Sequence, residues 1–435
     1  MKKIFFLIVF PFIVTQVYSQ QWIKYFGGIA QENKSYSVTQ TFDGGYISTG
    51  LGEWYNADSG ILMKHDANGD SIWHHEFYKI LMLSVIQTND SSFCAIGNID
   101  GGSSTAPGIF IVKTEANGTI IFENTIDSLP QSFGWCTPLS FFQKNDGSYV
   151  VSGYKKDTIG YDVDGFILHL DSNGEQLNYF TYDNSDRDYI ISSDKLLDGS
   201  FIFSGQTKEN DDYNLWLLKT DNNLDTIWTE SYGFLDFDCW AHSVCATQDS
   251  GFVIAGTKRD LLTNDKDILI IKFDLNGNEI WSKTYGTINF NEDGISVKQT
   301  NDNGFIVSSE LYSGEYIWLL KTDSNGDTLW TNKIESYSDS LYDGFAYPGE
   351  VSLTNDGGYI LTGSMFREAH GESYVLIKTD SVGYVSSIPN FSITNSRRKL
   401  INRLDILGRK TNIQFNKPFI EIYDDGTVEK KVIIE

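Results

Sequence analysis

Basic residues are few in this chain, 33 Lys and Arg against 58 Asp and Glu, for a net charge of −25. A surface so acidic repels phosphate and excludes nucleic acid as a partner. The 6 His residues show no metal-ligand spacing, and the adjacent His74 and His75 would point to opposite faces of a strand. There is no Gly-x-Ser-x-Gly elbow and no phosphate-cradling glycine loop, so no residue is assigned as catalytic or as a metal ligand. Long apolar runs are lacking after residue 19, which excludes a membrane-spanning helix, since that needs about 20 apolar residues. Helical spacing is sustained nowhere. Cysteine is scarce too: residues 94, 136, 239 and 245 permit two disulfides in three pairings. Cys239 with Cys245 is the local candidate, and a buried free thiol at Cys245 is the alternative.

What the chain has in abundance is repetition. One turn recurs as Asp43-Gly44-Gly45-Tyr46, Asn145-Asp146-Gly147-Ser148-Tyr149, Asp249-Ser250-Gly251-Phe252, Asp302-Asn303-Gly304-Phe305 and Asp356-Gly357-Gly358-Tyr359, with weaker copies ending at Phe93 and Phe201. A second recurs as Asp66-Ala67-Asn68-Gly69, Asp171-Ser172-Asn173-Gly174, Asp274-Leu275-Asn276-Gly277 and Asp323-Ser324-Asn325-Gly326, followed by Trp73, Tyr179, Trp281 and Trp330; weaker copies precede Phe122 and Trp228. The aromatics closing the first turn lie 47 to 56 residues apart, and each period holds four short apolar runs. Asx-Gly between alternating apolar runs is a hairpin signal, because such turns need backbone angles that Gly and Asn reach cheaply. Four strands per period make one blade, so the chain is predicted to be an all-β, seven-bladed β-propeller.

The seventh period lacks its last strand: Ser387 stands where Trp is expected, with Pro389 behind it. Trp22-Ile23-Lys24-Tyr25-Phe26-Gly27 matches the missing strand, so the N-terminal segment is expected to complete the last blade and leave no inner edge open. Residues 1–19, with Lys2 and Lys3 before an apolar run and small residues at Val17 and Ser19, read as a signal peptide cut before Gln20. The ring is therefore residues 20–387. The segment 388–435 differs in charge, with 9 Lys and Arg against 6 Asp and Glu, and reads as a separate domain.

That segment contains Arg403-Leu404-Asp405-Ile406-Leu407-Gly408-Arg409 and then Ile422-Tyr423-Asp424-Asp425-Gly426-Thr427 through Glu435. It resembles the C-terminal sorting domain of the type IX secretion system. The resemblance implies a small β-sandwich whose sorting motif is Leu407, Gly408, Arg409, Tyr423, Asp425 and Gly426, with the secretion machinery as partner. It also implies a secreted or surface location in a Gram-negative bacterium. The usual Tyr-Pro-Asn-Pro opening is replaced by Ile388-Pro389-Asn390-Phe391. The blades resemble poorly characterised bacterial propeller repeats often joined to such tails. They are also similar to quinoprotein repeats, without the adjacent cysteines those use at the cofactor; WD-repeat, kelch and sialidase Asp-box signatures are not matched.

Residues that recur are read as architecture, and those that break the pattern as candidates for function. The recurring Trp73, Trp228, Trp281 and Trp330 are expected to pack between blades. Acids before the third strand (Asp58, Asp164, Asp212, Asp267, Glu315, Glu372) are expected to cap loop amides, with calcium binding as the alternative. No other cofactor is expected. Both hairpin turns of a blade fall on one face, so the longer loops share the other. That variable face carries Trp54 and Tyr55, Trp135 and Cys136, Asp162, Cys239 with Trp240 and His242, Tyr347, and Phe366 with His370. Trp54, Trp135, Trp240, Tyr347 and His370 are the candidate ligand contacts, for a glycan or protein. The competing reading is a secreted hydrolase, glycosidase-like, whose carboxylates Asp162, Asp164 and Glu53 converge in three dimensions.

Overall fold

The computed structural model describes residues 21–26, 33–52, 59–99, 108–126, 133–157, 162–183, 185, 187–209, 212–287, 290–311, 316–335, 346–367, 371–385, 400–405, 409–411, 418–423 and 428–432. Among them there are strands and no helix. The chain divides into two compact units, residues 1–386 and 387–435.

The first unit holds seven four-stranded antiparallel sheets, so the fold is a seven-bladed β-propeller. Blade 6 illustrates how the sequence builds one. Strand Glu292–Gln299 turns through Asn303, whose φ of 64° is the left-handed conformation Asn tolerates, into Phe305–Leu311. Asp302 accepts the Gly304 amide at 3.1 Å and fixes that turn. Tyr316–Thr322 and Thr328–Glu335 complete the sheet. The third strand is buried at all but its first residue, because neighbouring blades cover both faces; it therefore reads as a continuous apolar run. The outermost strand is exposed or half-buried at every residue but Ile334.

Two recurring devices join one blade to the next, and a third braces the strands within a blade. In the first, the aromatic of the outermost strand lies on the left-handed glycine of the next blade's second turn, except at blade 4, where Leu224 takes the place of the glycine. A Cβ on Gly118 would come within 2.9 Å of Trp73, on Gly277 within 3.3 Å of Trp228, on Gly326 within 2.8 Å of Trp281, and on Gly383 within 2.5 Å of Trp330. Strand Trp22–Phe26 pairs with Gly371–Thr379, and Trp22 seats against Gly69 in the same way. The N-terminal strand is thus the outermost strand of blade 7 and closes the ring.

The second device lies on the innermost strands. Each carries a register shift, and in blades 1 to 6 the residue after it is serine: Ser37, Ser84, Ser140, Ser192, Ser243 and Ser296. Ser37, Ser140, Ser192, Ser243 and Ser296 each accept the backbone amide of the next blade, from Val85, Ser193, Val244, Val297 and Val351, at 3.1 to 3.3 Å. Blade 7 has Glu350 there, and it accepts the Ser37 hydroxyl at 2.7 Å.

The third is a lysine late in the third strand that reaches the aspartate of its own blade's first turn. Lys64, Lys113, Lys219, Lys272, Lys321 and Lys378 are 2 to 8% exposed and meet Asp43, Asp90, Asp198, Asp249, Asp302 and Asp356 at 2.7 to 3.0 Å. Burying an ammonium is costly, and both the carboxylate and a nearby carbonyl, such as Thr322 O at 2.8 Å from Lys321 Nζ, offset that cost.

The predicted Cys239–Cys245 bridge does not form; all four cysteines are free and buried. Both residues lie in the innermost strand Phe237–Ala246, where six residues of extended chain separate them by about 20 Å. The second unit holds a three-stranded antiparallel sheet of Leu400–Asp405, Pro418–Tyr423 and Val428–Val432. Of the sorting motif, Arg409 is exposed and Tyr423 ends a strand; Leu407, Gly408, Asp425 and Gly426 lie outside the described residues, as do residues 1–20.

Candidate functional site on the variable face

Each innermost strand runs from the variable face to the turn face, so its first residues ring the channel mouth. Counting back from the register shift, one position recurs around that ring: Lys34, Leu81, Thr137, Tyr189, Trp240, Asp293 and Tyr347. Trp240 and Tyr347, chosen for different local reasons, therefore occupy equivalent places in blades 5 and 7, separated by Asp293 of blade 6. Trp54 and His370 lie outside the described residues, as do Tyr55 and Glu53; Trp135 is in the strand Phe133–Gln143, but its side chain is not described.

Around Trp240 the structure assembles an arc of rings. Tyr154 of blade 3 meets Tyr189 of blade 4 with centroids 4.9 Å apart, and Tyr213 of blade 4 meets Trp240 of blade 5 at 6.1 Å. All four are half-buried. Arg187 donates to the Tyr213 hydroxyl at 3.2 Å. Arg259 and Lys266 lie over the Trp240 ring, 5.0 and 5.7 Å from its centroid. Arg259 is paired with Asp238, and Lys266 with Asp293 at 3.2 Å. Tyr154, Tyr189 and Tyr213 escaped the sequence reading because they sit in ordinary strand positions. Only their register, with the extra residue counted, aligns Tyr189 with Trp240.

Cys136 and Cys239 are buried rather than displayed at this face, because they sit one residue before the mouth ring and point into the blade interior. His242 is not a loop residue either: it is the extra residue at the blade 5 register shift and lines the channel. The channel is a cavity of about 810 Å³ walled by all seven innermost strands, with Leu83, Leu139, Ile191 and Ile295 at the level of His242. Burial holds the His242 pKa below its ordinary value. In the same channel Lys298 meets Glu350 at 3.1 Å. Burial opposes the Lys298 ammonium, but Glu350, Cys245 and Asp194 outweigh it and raise its pKa.

Asp162, Asp164 and Asp183 converge at blade 3 with carboxylate oxygens within 4.8 Å of one another. Lys155 pairs with Asp164 at 2.8 Å and neutralises part of that charge. Lys155 follows Tyr154 in strand Tyr149–Asp157, so the cluster shares blade 3 with that ring. Of the acids before the third strand, Glu372 accepts the Ser364 hydroxyl at 2.6 Å and Asp164 pairs with Lys155, while Asp58 and Glu315 lie outside the described residues. In the hairpin turns Asp66 and Asp323 each accept two turn amides at 2.8 to 2.9 Å, which occupies those carboxylates.

No family model matches the chain, and no curated protein matches it in sequence. Among solved structures it is similar to an ulvan lyase of a new polysaccharide lyase family, bound to -[GlcA(1-4)Rha3S]-, at 8% identity and a TM-score of 0.53, over 82% of this chain and 96% of that one. It is also similar to Sqt1 from Chaetomium thermophilum, at 10% identity and a TM-score of 0.45, over 93% of this chain and 97% of that one. At 8% identity the likeness to the lyase shows a shared fold alone.

Proposed function

We propose that this protein is a non-catalytic recognition module that binds polysaccharide along the variable face. The observation that carries this is the arc of Tyr154, Tyr189, Tyr213 and Trp240 across three blades. Half-buried rings held by their neighbours stack on the C–H faces of sugars at little entropic cost. The neighbouring Arg187, Arg259 and Asp293 supply directional hydrogen bonds to hydroxyl or acidic substituents. A glycan array probed with the full chain, with ulvan included beside neutral polysaccharides, tests the reading: saturable binding is expected, and silence across the panel would sink it.

The three converging aspartates favour one second reading, glycoside hydrolysis at blade 3, because glycosidases work with paired carboxylates and these bring oxygens within 4.8 Å of one another. Reducing-end release from an array-positive glycan that disappears in Asp164→Asn would establish it.

The tail carries a separate proposal, that residues 388–435 direct export by a type IX secretion system to the cell surface or medium. Deleting them in a host with that system is expected to strand the ring in the periplasm. Unchanged appearance in the medium would refute the assignment.

A further inference from the structure

At the junction of blades 5 and 6 two carboxylates meet, those of Asp267 and Glu292. Glu292 is 0% exposed; Oε1 accepts the Thr287 hydroxyl at 2.6 Å, while Oε2 is buried and has no hydrogen-bond partner. Both it and Asp267 close on the Cα of Gly286. A Cβ there would lie 1.9 Å from Asp267 Oδ1 and 3.1 Å from Glu292 Oε2, which puts the two oxygens within about 5 Å of each other. Burial raises the pKa of each, and Asp267 raises that of Glu292 further. The like-charge contact is the wrong one to leave dry, since a buried carboxylate oxygen with no donor pays its full desolvation cost.

We propose that a calcium ion binds between Asp267 and Glu292. Oxygens up to about 5 Å apart can share one ion at the 2.3 to 2.6 Å calcium–oxygen distance, with waters filling the remaining positions. The ion would also act on the glycan site, on whose proposed role this second consequence rests. Lys266 and Asp293 are the sequence neighbours of Asp267 and Glu292, and their ion pair holds Lys266 over Trp240. Fixing Asp267 and Glu292 fixes that pair.

The test is thermal unfolding of the full chain in EDTA and in 1 mM calcium chloride, for the wild type, Glu292→Gln, Asp267→Asn and Asp164→Asn. The expected result is a calcium-dependent rise of about 2 to 4 °C in the wild type and in Asp164→Asn, and none in the other two. In EDTA, Glu292→Gln should melt no lower than the wild type, because it relieves the repulsion; this separates loss of the ion from loss of the fold. No rise in the wild type, or a rise that survives Glu292→Gln and Asp267→Asn, would overturn the site. Calcium stabilisation without glycan binding would leave the ion and remove the recognition role.

Discussion

At φ +80°, with Trp281 atoms 2.8 Å from where a Cβ would stand, position 326 accepts only glycine. Gly326→Ala adds a left-handed penalty of about 1–2 kcal/mol to an overpacking cost of about 1–3 kcal/mol, so a loss of about 2–4 kcal/mol is expected from urea midpoints. Blade 4 breaks this rule: Leu224 takes the equivalent turn position at φ 71° and is 1% exposed, its burial in the blade 4 core offsetting the strain. The buried lysines make a second prediction. Asp302→Asn leaves the Lys321 ammonium short of its counter-charge, whereas Lys321→Met keeps the buried stem and removes the charge. Asp302→Asn is therefore expected to destabilise more than Lys321→Met, and equal midpoints would contradict the clamp. The turns and tryptophans were legible because each is a local pattern repeated in register. The lysine clamp repeats just as regularly, but its partner is 19 to 23 residues away, so only the folded hairpin reveals the pairing.

At the scale of strands, the register shift on each innermost strand is what local reading could not supply. One extra residue per strand is invisible to a period of two, yet it decides that His242 faces the channel and Trp240 the mouth. It also hid the serine stitching, since Ser243 and Val297 belong to different blades. Ser243→Ala should orphan the Val297 amide and cost about 1–3 kcal/mol, measurable as a lower urea midpoint. The closing strand was legible, because Trp22 to Phe26 repeats the outermost-strand pattern of other blades. Trp22→Ala removes the ring that seats on Gly69, and a loss of about 2–4 kcal/mol is expected for a half-buried tryptophan. An unchanged midpoint would mean that the ring does not depend on this closure.

For the whole molecule, acid stability follows from groups with opposite signs. Burial pushes the His65 pKa down to about 3, so the unfolded chain binds the proton more readily, and this stability is lost as pH falls from about 6.5 toward 3. Asp302 and Asp356 resist the effect of burial through hydrogen bonds from Thr300, Lys321, Thr354 and Lys378, which lower their pKa values and add a further loss below the ordinary carboxylate range. Asp267, Glu292 and Glu310 act the other way: raised by burial, they destabilise the fold above their unfolded values and are relieved as pH drops. The expected curve therefore falls below about pH 6.5, and His65→Gln should flatten its upper part. Seven blades and an acidic ring were legible in sequence; the arc of rings was not, because it is assembled from three blades by the curvature of the whole. The most direct test of that arc is calorimetric titration of the best array-positive glycan into the wild type, Tyr189→Ala and Trp240→Ala. At least a tenfold weaker affinity in both variants, with the melting temperature held, is predicted; wild-type affinity in both would contradict the account.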